Sequence, residues 1–216
     1  MNTENTNLGF GSEPNPSKWI TINNGKLTVR ATEDDEGAVI REYTNKDGER
    51  RSVWEYQYTN FSGVITGAEF EKTQWGMVFS LNLSAGDKEY SLRLQAPGRL
   101  FEQFAKRIPN LQIDQVLYIG AFTNERGHNV LYLKQNGSKV DFAFTRDNPN
   151  GMPPAVQETK MGETKWNYDA QEEFLYNLTV NWIESLSKKG GPDPLDEVAE
   201  QLEQVSSEPV ASEGPF

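Results

Sequence analysis

Residues 76–110, GMVFSLNLSAGDKEYSLRLQAPGRLFEQFAKRIPN, carry two hydrophobic periods in succession, and the change between them decides the fold. Apolar and polar residues first alternate along two segments separated by the turn 84–87, a pattern typical of half-buried strands. The apolar residues on one face of these segments are Met77, Phe79, Leu81 and Leu83, then Tyr90, Leu92 and Leu94. The period then becomes helical over 97–108, at Leu100, Phe101, Phe104 and Ile108. The stretch therefore predicts two antiparallel strands followed by a short helix.

Further strand patterns lie on both sides of this stretch. A longer strand, 61–72, precedes it and contains Gly63 and Gly67, and glycines inside strands often mark bends or bulges. Strands 115–122 and 130–134 follow the helix, and 139–144 is a further candidate. This order is that of an OB-fold, an antiparallel β-barrel with one helix between strands three and four. Another small antiparallel barrel or sandwich with one helix would show the same pattern, so that alternative stays open.

The rest of the chain adds elements before and after this barrel. Residues 18–60 predict a β-extension, with strands around Leu27 and Val29, over 38–43 and over 50–58. Residues 146–165 are rich in Pro, Asn, Gly and Glu and predict a loop, and a helix follows over 169–187. Its apolar stripe, expected to dock on the barrel or on another subunit, is Leu175, Leu178, Trp182 and Leu186. The chain thus divides into a flexible N-terminal arm (1–17), a single mainly β domain (18–190, with the barrel at 61–145) and a tail (191–216).

The net charge of −11 is concentrated in the tail. Residues 191–216 hold seven carboxylates, no Lys or Arg and few apolar residues, so we expect a disordered acidic tail. The remaining residues carry a formal charge of −4, and the segment 61–146 is slightly basic. An acidic tail near such a body can compete with nucleic acid for it, an effect that salt weakens. A tail that only improves solubility is the alternative interpretation.

The sequence offers little for catalysis or for cofactor binding. It has no cysteine, no nucleotide-binding glycine loop and no zinc-ligand spacing. The one histidine, His128, lies in a predicted loop, and the carboxylates of 33–36 are typical of a solvated turn. We therefore expect no enzymatic activity, no cofactor and no metal. Residues 1–17 lack a secretory signal and the longest apolar run, 116–122, is too short to span a membrane, so we expect a cytoplasmic protein.

Aromatic and basic residues favour a binding function instead. A sequence-tolerant binder of single strands needs aromatic faces for the bases and scattered Lys or Arg for the backbone. One face of the strand 50–58 offers Arg50, Trp54, Tyr56 and Tyr58, with Arg51 beside it. These rings could equally be the core side of the strand, with Glu55 and Gln57 outside. The further candidate DNA-binding residues, from the predicted loops, barrel surface and basic path, are Lys72, Trp75, Arg93, Arg126, Lys134 and Lys139.

The predicted outer face of barrel strands two and three is polar. It comprises Ser80, Asn82, Ser91, Arg93 and Gln95. This face has no aromatic residue, which counts against DNA binding there alone.

The acidic tail closes on Ser-Glu-Gly-Pro-Phe, and Glu213, Pro215 and Phe216 resemble the tail of phage and bacterial single-stranded DNA-binding proteins. The barrel order and the near-neutral body agree with that resemblance. The β-extension and the long C-terminal helix depart from the bacterial pattern, count against the bacterial tetramer and favour a phage-type protein. The resemblance lies in architecture and tail, not in a matched run of residues through the barrel.

The resemblance implies a protein that coats single-stranded DNA during replication, recombination or repair in the cytoplasm of a bacterial host. Its tail would recruit partners such as a polymerase, helicase, primase or nuclease, and a homo-oligomer is compatible with it. Two alternatives come from other classes: an acidic adaptor or inhibitor of phage origin that binds protein, or a structural virion β-protein. A basic, aromatic barrel surface would favour DNA binding, whereas an acidic or apolar patch would favour a protein-binding adaptor.

Overall fold

The computed structural model describes residues 18–45, 47–160 and 162–189. The strands are β1 (Lys18–Asn23), β2 (Lys26–Arg30), β3 (Val39–Thr44), β4 (Arg50–Tyr58), β5 (Asn60–Thr73), β6 (Gly76–Ala85), β7 (Lys88–Ala96), β8 (Leu117–Thr123), β9 (Asn129–Gln135), β10 (Ser138–Lys139), β11 (Val156–Lys160) and β12 (Glu163–Asn167). The helices are α1 (Arg99–Ala105), a short 3-10 helix (Ile108–Asn110) and α2 (Asp169–Lys189). The predicted arm 1–17 and the acidic tail 191–216 lie outside the described residues.

Ten strands form one curled sheet in the order β10-β9-β8-β5-β6-β7-β1-β2-β4-β3, and β11 and β12 form a separate hairpin. The prediction of a mainly β fold is confirmed. The order taken from the hydrophobic periods is also observed, because β5, β6 and β7 precede α1 and β8 and β9 follow it. Each consecutive pair in β5–β6–β7 and in β8–β9 is antiparallel.

The long strand β5 joins the two halves of this arrangement. Its first four residues, up to Gly63, pair with β8, whereas the residues from Val64 onward pair with β6. The register with β6 shifts between Ile65 and Gly67, which marks a bulge. The two glycines predicted to interrupt this strand therefore lie where its pairing changes partner and register.

The predicted β-extension belongs to the same sheet. β1 runs parallel to β7, β2 pairs with β1 and β4, and β3 is the edge strand. Only Thr59 separates β4 from β5 along the chain. In the sheet, β6, β7, β1 and β2 lie between these two strands, so the sheet curls back to the point where β4 passes into β5. The turn between β1 and β2 also reaches β9, where the Gly25 amide donates to Asn129 Oδ1 at 2.8 Å.

The core lies on the inner face of the curled sheet. The largest fully buried side chains are Phe79, Phe104, Ile20, Leu27, Leu81, Leu83, Leu92, Leu94, Leu117, Ile119, Leu131 and Leu133. The two helices pack onto it through rings, with centroids 5.1 Å apart for Phe79 and Phe104 and 5.9 Å apart for Phe104 and Trp182. Leu175 and Trp182 of α2 are buried, and the predicted apolar stripe docks on β5 and α1. No helix in the described residues has the length and hydropathy of a membrane span.

Four expectations from the sequence are corrected. The helix of 97–108 ends at Ala105, and Pro109 lies within the 3-10 helix that follows. The loop expected over 146–165 contains β11 and most of β12, whose polar residues gave no strand signal. The candidate strand 139–144 is reduced to β10, because the chain leaves β9 after Val140, whose amide still donates to the Leu133 carbonyl, and it then buries Phe144 individually. The single strand expected near Val29 is a hairpin of β1 and β2.

The contact between the β1–β2 turn and the β8–β9 hairpin gives a first prediction. Gly25 has φ +71°, and a Cβ there would lie 2.5 Å from the Thr123 amide nitrogen. We expect Gly25→Ala to lower the free energy of unfolding by about 1–2 kcal/mol, because alanine is disfavoured in the left-handed backbone region. Overpacking should lower it further, by about 1–3 kcal/mol. Gly86→Ala is the matched control, because its φ is +68° and nothing lies within 4 Å of the added Cβ. Urea unfolding of both variants measures the difference, and equal losses would show that the turn contact contributes nothing.

Candidate nucleic-acid interface

An aromatic cluster lies on the outer face of β8 and β9. Leu117, Ile119 and Ala121 of β8 are buried, so the alternate residues Tyr118, Gly120 and Phe122 face outward. The neighbours of these three in β9 are Lys134, Tyr132 and Val130 respectively. We name Tyr118, Phe122, Tyr132 and Lys134 the outer platform.

The three rings of the outer platform form a row. The centroid of Tyr132 lies 6.1 Å from that of Tyr118 and 6.2 Å from that of Phe122. Tyr132 lies directly over Gly120, where a Cβ would be 2.2 Å from its ring. The absence of a side chain at Gly120 therefore allows Tyr132 to lie against the sheet. Phe122, at one end of the row, is 48% exposed.

The outer platform combines a cation with two phenols. The Lys134 ammonium lies 5.6 Å from the Tyr118 ring centroid and 5.9 Å from that of Tyr132. A hydrogen bond with Tyr118, with partial burial as a second cause, raises the pKa of Tyr132 above its ordinary value. Lys134 makes no ion pair within the described residues.

The turn between β8 and β9 places a second cation near the platform. Asn124 Oδ1 accepts hydrogen bonds from the backbone amides of Arg126 and His128, at 3.0 and 2.9 Å. This side chain fixes the turn. The predicted DNA-binding residue Arg126 is exposed there and lines a shallow depression together with Phe122 and Glu125. His128 is also exposed and contributes its backbone to the turn.

A tryptophan lies on the outer face of the β6–β7 sheet, where the sequence predicted no aromatic. Trp19 of β1 pairs with Ser91 and is 60% exposed. The Arg93 guanidinium lies 4.2 Å from its ring centroid, and an ion pair of 2.5 Å with Glu71 holds Arg93 in place. One side of the indole is thus supported by a fixed cation. Ser80 and Ser91, predicted on this outer face, are buried within it.

The β4 residues predicted to bind DNA do not form an open stacking surface. Trp54, Tyr56 and Tyr58 share a face with the core residues Leu27 and Val29, as the pairing of β2 with β4 shows. They lie where the sheet extends past the core, so Trp54 and Tyr56 are half-buried and Tyr58 is exposed. The rings are therefore neither part of the buried core nor fully open to solvent.

The opposite face of β4 carries a buried carboxylate. Glu55 is only 3% exposed, although the sequence pattern placed it outside if the rings were core. Its Oε2 accepts a hydrogen bond of 2.9 Å from Arg41 Nε, and its Oε1 accepts one of 3.1 Å from Gln57. On the ring side, burial and then the charge of Asp35 raise the pKa of Tyr56, with smaller effects from Tyr58 and Glu36. The carboxylates of Asp35 and Glu36 make the surface next to Tyr56 unfavourable for the phosphate backbone of a nucleic acid.

The remaining predicted residues are dispersed. Lys72 and Trp75 are exposed at the β5–β6 turn, and Arg50 and Arg51 are exposed at the start of β4, where Arg51 pairs with Glu49. Lys139 is engaged with Asp141 at 2.9 Å, which lowers the pKa of that carboxyl. The structure thus brings Lys134 and Arg126 close to one set of rings but leaves the other predicted residues apart. The predicted partner-binding residues Glu213, Pro215 and Phe216 lie outside the described residues.

Sequence reasoning missed Trp19, Tyr118, Phe122 and Tyr132. In 117–122 and 130–134, apolar residues alternate with Tyr118, Phe122 and Tyr132. The reasoning applied to the alternation in 76–95 would therefore have placed these three rings on the outer face. Trp19 gave no such signal, because the pairing of β1 with β7 joins residues far apart in the chain.

Comparisons of this chain with protein-family models, with curated proteins and with solved structures find no match. The chemistry of the site therefore has to be inferred from its side chains. Exposed aromatic side chains beside cations can bind nucleic-acid bases by stacking and the phosphates between the bases by charge, without covalent chemistry. In the described residues, no three His, Cys, Asp or Glu side chains come together as a metal site.

The geometry of the outer platform predicts a titration. Tyr118→Phe removes the hydroxyl that stabilises the protonated form of Tyr132, so the pKa of Tyr132 should fall toward its ordinary value. Tyr90→Phe is the control, because Tyr90 contacts Phe61 and not the platform. NMR of ring-labelled tyrosine follows Tyr132 through the titration. An unchanged pKa in Tyr118→Phe would contradict the contact between the two phenols.

Proposed function

We propose that this chain binds single-stranded DNA with little sequence preference, and that it does so without catalysing a reaction. The observation that carries the proposal is the outer platform, in which three rings lie on the solvent side of β8 and β9 beside Lys134, which has no ion-pair partner among the residues that the structure describes. Base–aromatic stacking contributes about 1–3 kcal/mol per base and tolerates every base, because each has a π-face. Such a surface binds a strand without reading its sequence.

The spacing of the rings favours a single strand over a duplex. Stacked bases in a duplex are about 3.4 Å apart and cover each other's faces. The platform centroids are 6.1 and 6.2 Å apart. Neighbouring bases can therefore reach neighbouring rings only when the strand is extended and unpaired.

The fold supports the proposal in a second way. Three antiparallel strands, α1 and two further strands follow the order of an OB-fold, a common scaffold for oligonucleotide binding. We include the OB-fold in the proposal, with β1 as an added strand beside the third barrel strand. The Trp19–Arg93 pair then lies on the outer face of the second and third barrel strands.

The biological role follows the resemblance described for the sequence. We include in the proposal that the protein coats single strands during DNA replication, recombination or repair in the cytoplasm of a bacterial host. Its acidic segment 191–216, with Glu213, Pro215 and Phe216, would recruit a partner such as a polymerase, helicase, primase or nuclease. The alternatives, a protein-binding adaptor or inhibitor and a virion protein, do not require exposed rings beside a lysine.

Binding to oligonucleotides tests the proposal directly. Phe122→Ala should weaken binding to an oligo-dT strand by about 1–3 kcal/mol, which is about 5–150-fold. Trp166→Ala is the matched control, since Trp166 is 56% exposed but lies on the separate β11–β12 hairpin. Fluorescence anisotropy should show affinity that falls as salt rises, because backbone contacts release counterions. Equal or tighter binding to the duplex, or equal losses in both variants, would contradict the proposal.

The acidic segment gives a separate prediction. Deleting 191–216 raises the formal net charge from −11 to −4, so binding to oligo-dT should tighten at low salt. The gain should shrink toward 1 M salt, where the Debye length is about 3 Å. A variant of full length with the seven carboxylates changed to amides separates charge from length and should behave like the deletion. If the amide variant binds like the parent chain, charge competition is not the cause.

A further inference from the structure

A small pocket opens where β4 passes into β5. Its volume is about 180 Å³. Four aromatic rings line it as two pairs: Tyr56 with Tyr58 on β4, at a centroid distance of 6.3 Å, and Phe61 with Tyr90 on β5 and β7, at 4.9 Å. We name it the junction pocket.

The pocket has a buried apolar floor and a polar mouth. Leu27 and Val29 are buried at its floor, whereas Lys18, Tyr58 and Asn60 are exposed at its mouth. A drug-sized ligand needs about 300–1,000 Å³. The junction pocket therefore has room for one ring system with an apolar face and a polar edge.

Charge restricts which part of a nucleotide can enter. Asp35 and Glu36 lie near Tyr56, so a phosphate placed on that side would be repelled. Lys18 is the cation among the residues that line the pocket. A neutral ring can thus occupy the pocket while the phosphate attached to it stays at the mouth beside Lys18.

The rings of the pocket lie on the inner face of the sheet and the outer platform lies on its outer face, and the two sites adjoin at Asn60. Asn60 at its mouth is the cross-strand neighbour of Gly120, the residue that the Tyr132 ring covers. Neighbouring strands are about 4.8 Å apart. Residues 60–63 of β5 pair with β8, and the pairing with β6 begins only at Val64. A strand stacked on Tyr132 can therefore turn over the other side of β5 beside Asn60 and bring an adjacent nucleotide to the mouth of the pocket.

From these observations we infer that the junction pocket takes one nucleobase of the bound single strand, turned out of the stack that lies on the outer platform. This inference rests on the proposed function, and it adds a second kind of base contact. The outer platform holds bases on an open surface, whereas the junction pocket encloses one base between rings. Enclosure limits the size of the base that fits, so the pocket is the place where a preference among bases would arise.

Photo-crosslinking of the full chain tests the inference, since a zero-length crosslink requires contact with the base. The probe is an oligo-dT strand with 5-iodouracil in place of thymine, and the crosslinked residues are mapped by mass spectrometry. We expect crosslinks at Tyr58 and Tyr90 in addition to the outer platform. We also expect Tyr58→Ala to weaken binding about tenfold, while Tyr43→Ala, a similarly exposed tyrosine on the edge strand β3, leaves it unchanged. Thermal unfolding confirms that both variants are folded.

The outcomes separate this inference from the proposed function. Binding with crosslinks at Tyr118, Phe122 or Tyr132 but none at Tyr58 or Tyr90 would overturn the junction pocket and leave the proposed function standing. Absence of any binding to oligo-dT would overturn both. Crosslinks at Tyr58 and Tyr90 that persist while Tyr132→Ala weakens binding would support both.

Discussion

The structure depends on the division of β5 between two partners. Its residues up to Gly63 pair with β8, those from Val64 onward pair with β6, and the register with β6 shifts between Ile65 and Gly67. That bend curls the sheet and allows β4, one residue upstream, to meet β2. Both candidate sites adjoin this strand, because Asn60 faces Gly120 and also borders the junction pocket.

The alternation that builds the core also builds the outer platform. In β8, Leu117 and Ile119 fill the interior, so Tyr118 and Phe122 necessarily point outward. Since the side-chain period of a strand is two, a slip of one residue would bury the tyrosine and expose the leucine. Burial of the apolar residues in the core therefore determines which rings face solvent, and no other interaction is needed to expose them.

The sequence predicted the parts of the fold that arise from local periodicity. The strands around Phe79 and Leu92, the helix around Phe104 and the stripe with Trp182 are all present, because each buries an apolar face that is visible in the sequence. The hairpin over 156–167 was missed because its residues are mostly polar. The burial of Glu55 and the neighbourhood of Trp19 and Arg93 depend on pairing between distant segments, which no local pattern contains. Of the candidate site, the sequence supplied Lys134 and Arg126 but not the rings beside them.

The contact between Gly120 and Tyr132 has a consequence for how the surface can vary. Tyr132 rests on bare backbone, and a methyl group at position 120 would displace the ring without entering the core. The position of the Tyr132 ring therefore depends on Gly120, a residue that has no side chain to contact a ligand. A genetic search for variants that fold normally but lose their ligand should recover position 120 alongside the rings. Such a variant would alter the surface by tilting an aromatic plane and would leave every charge in place.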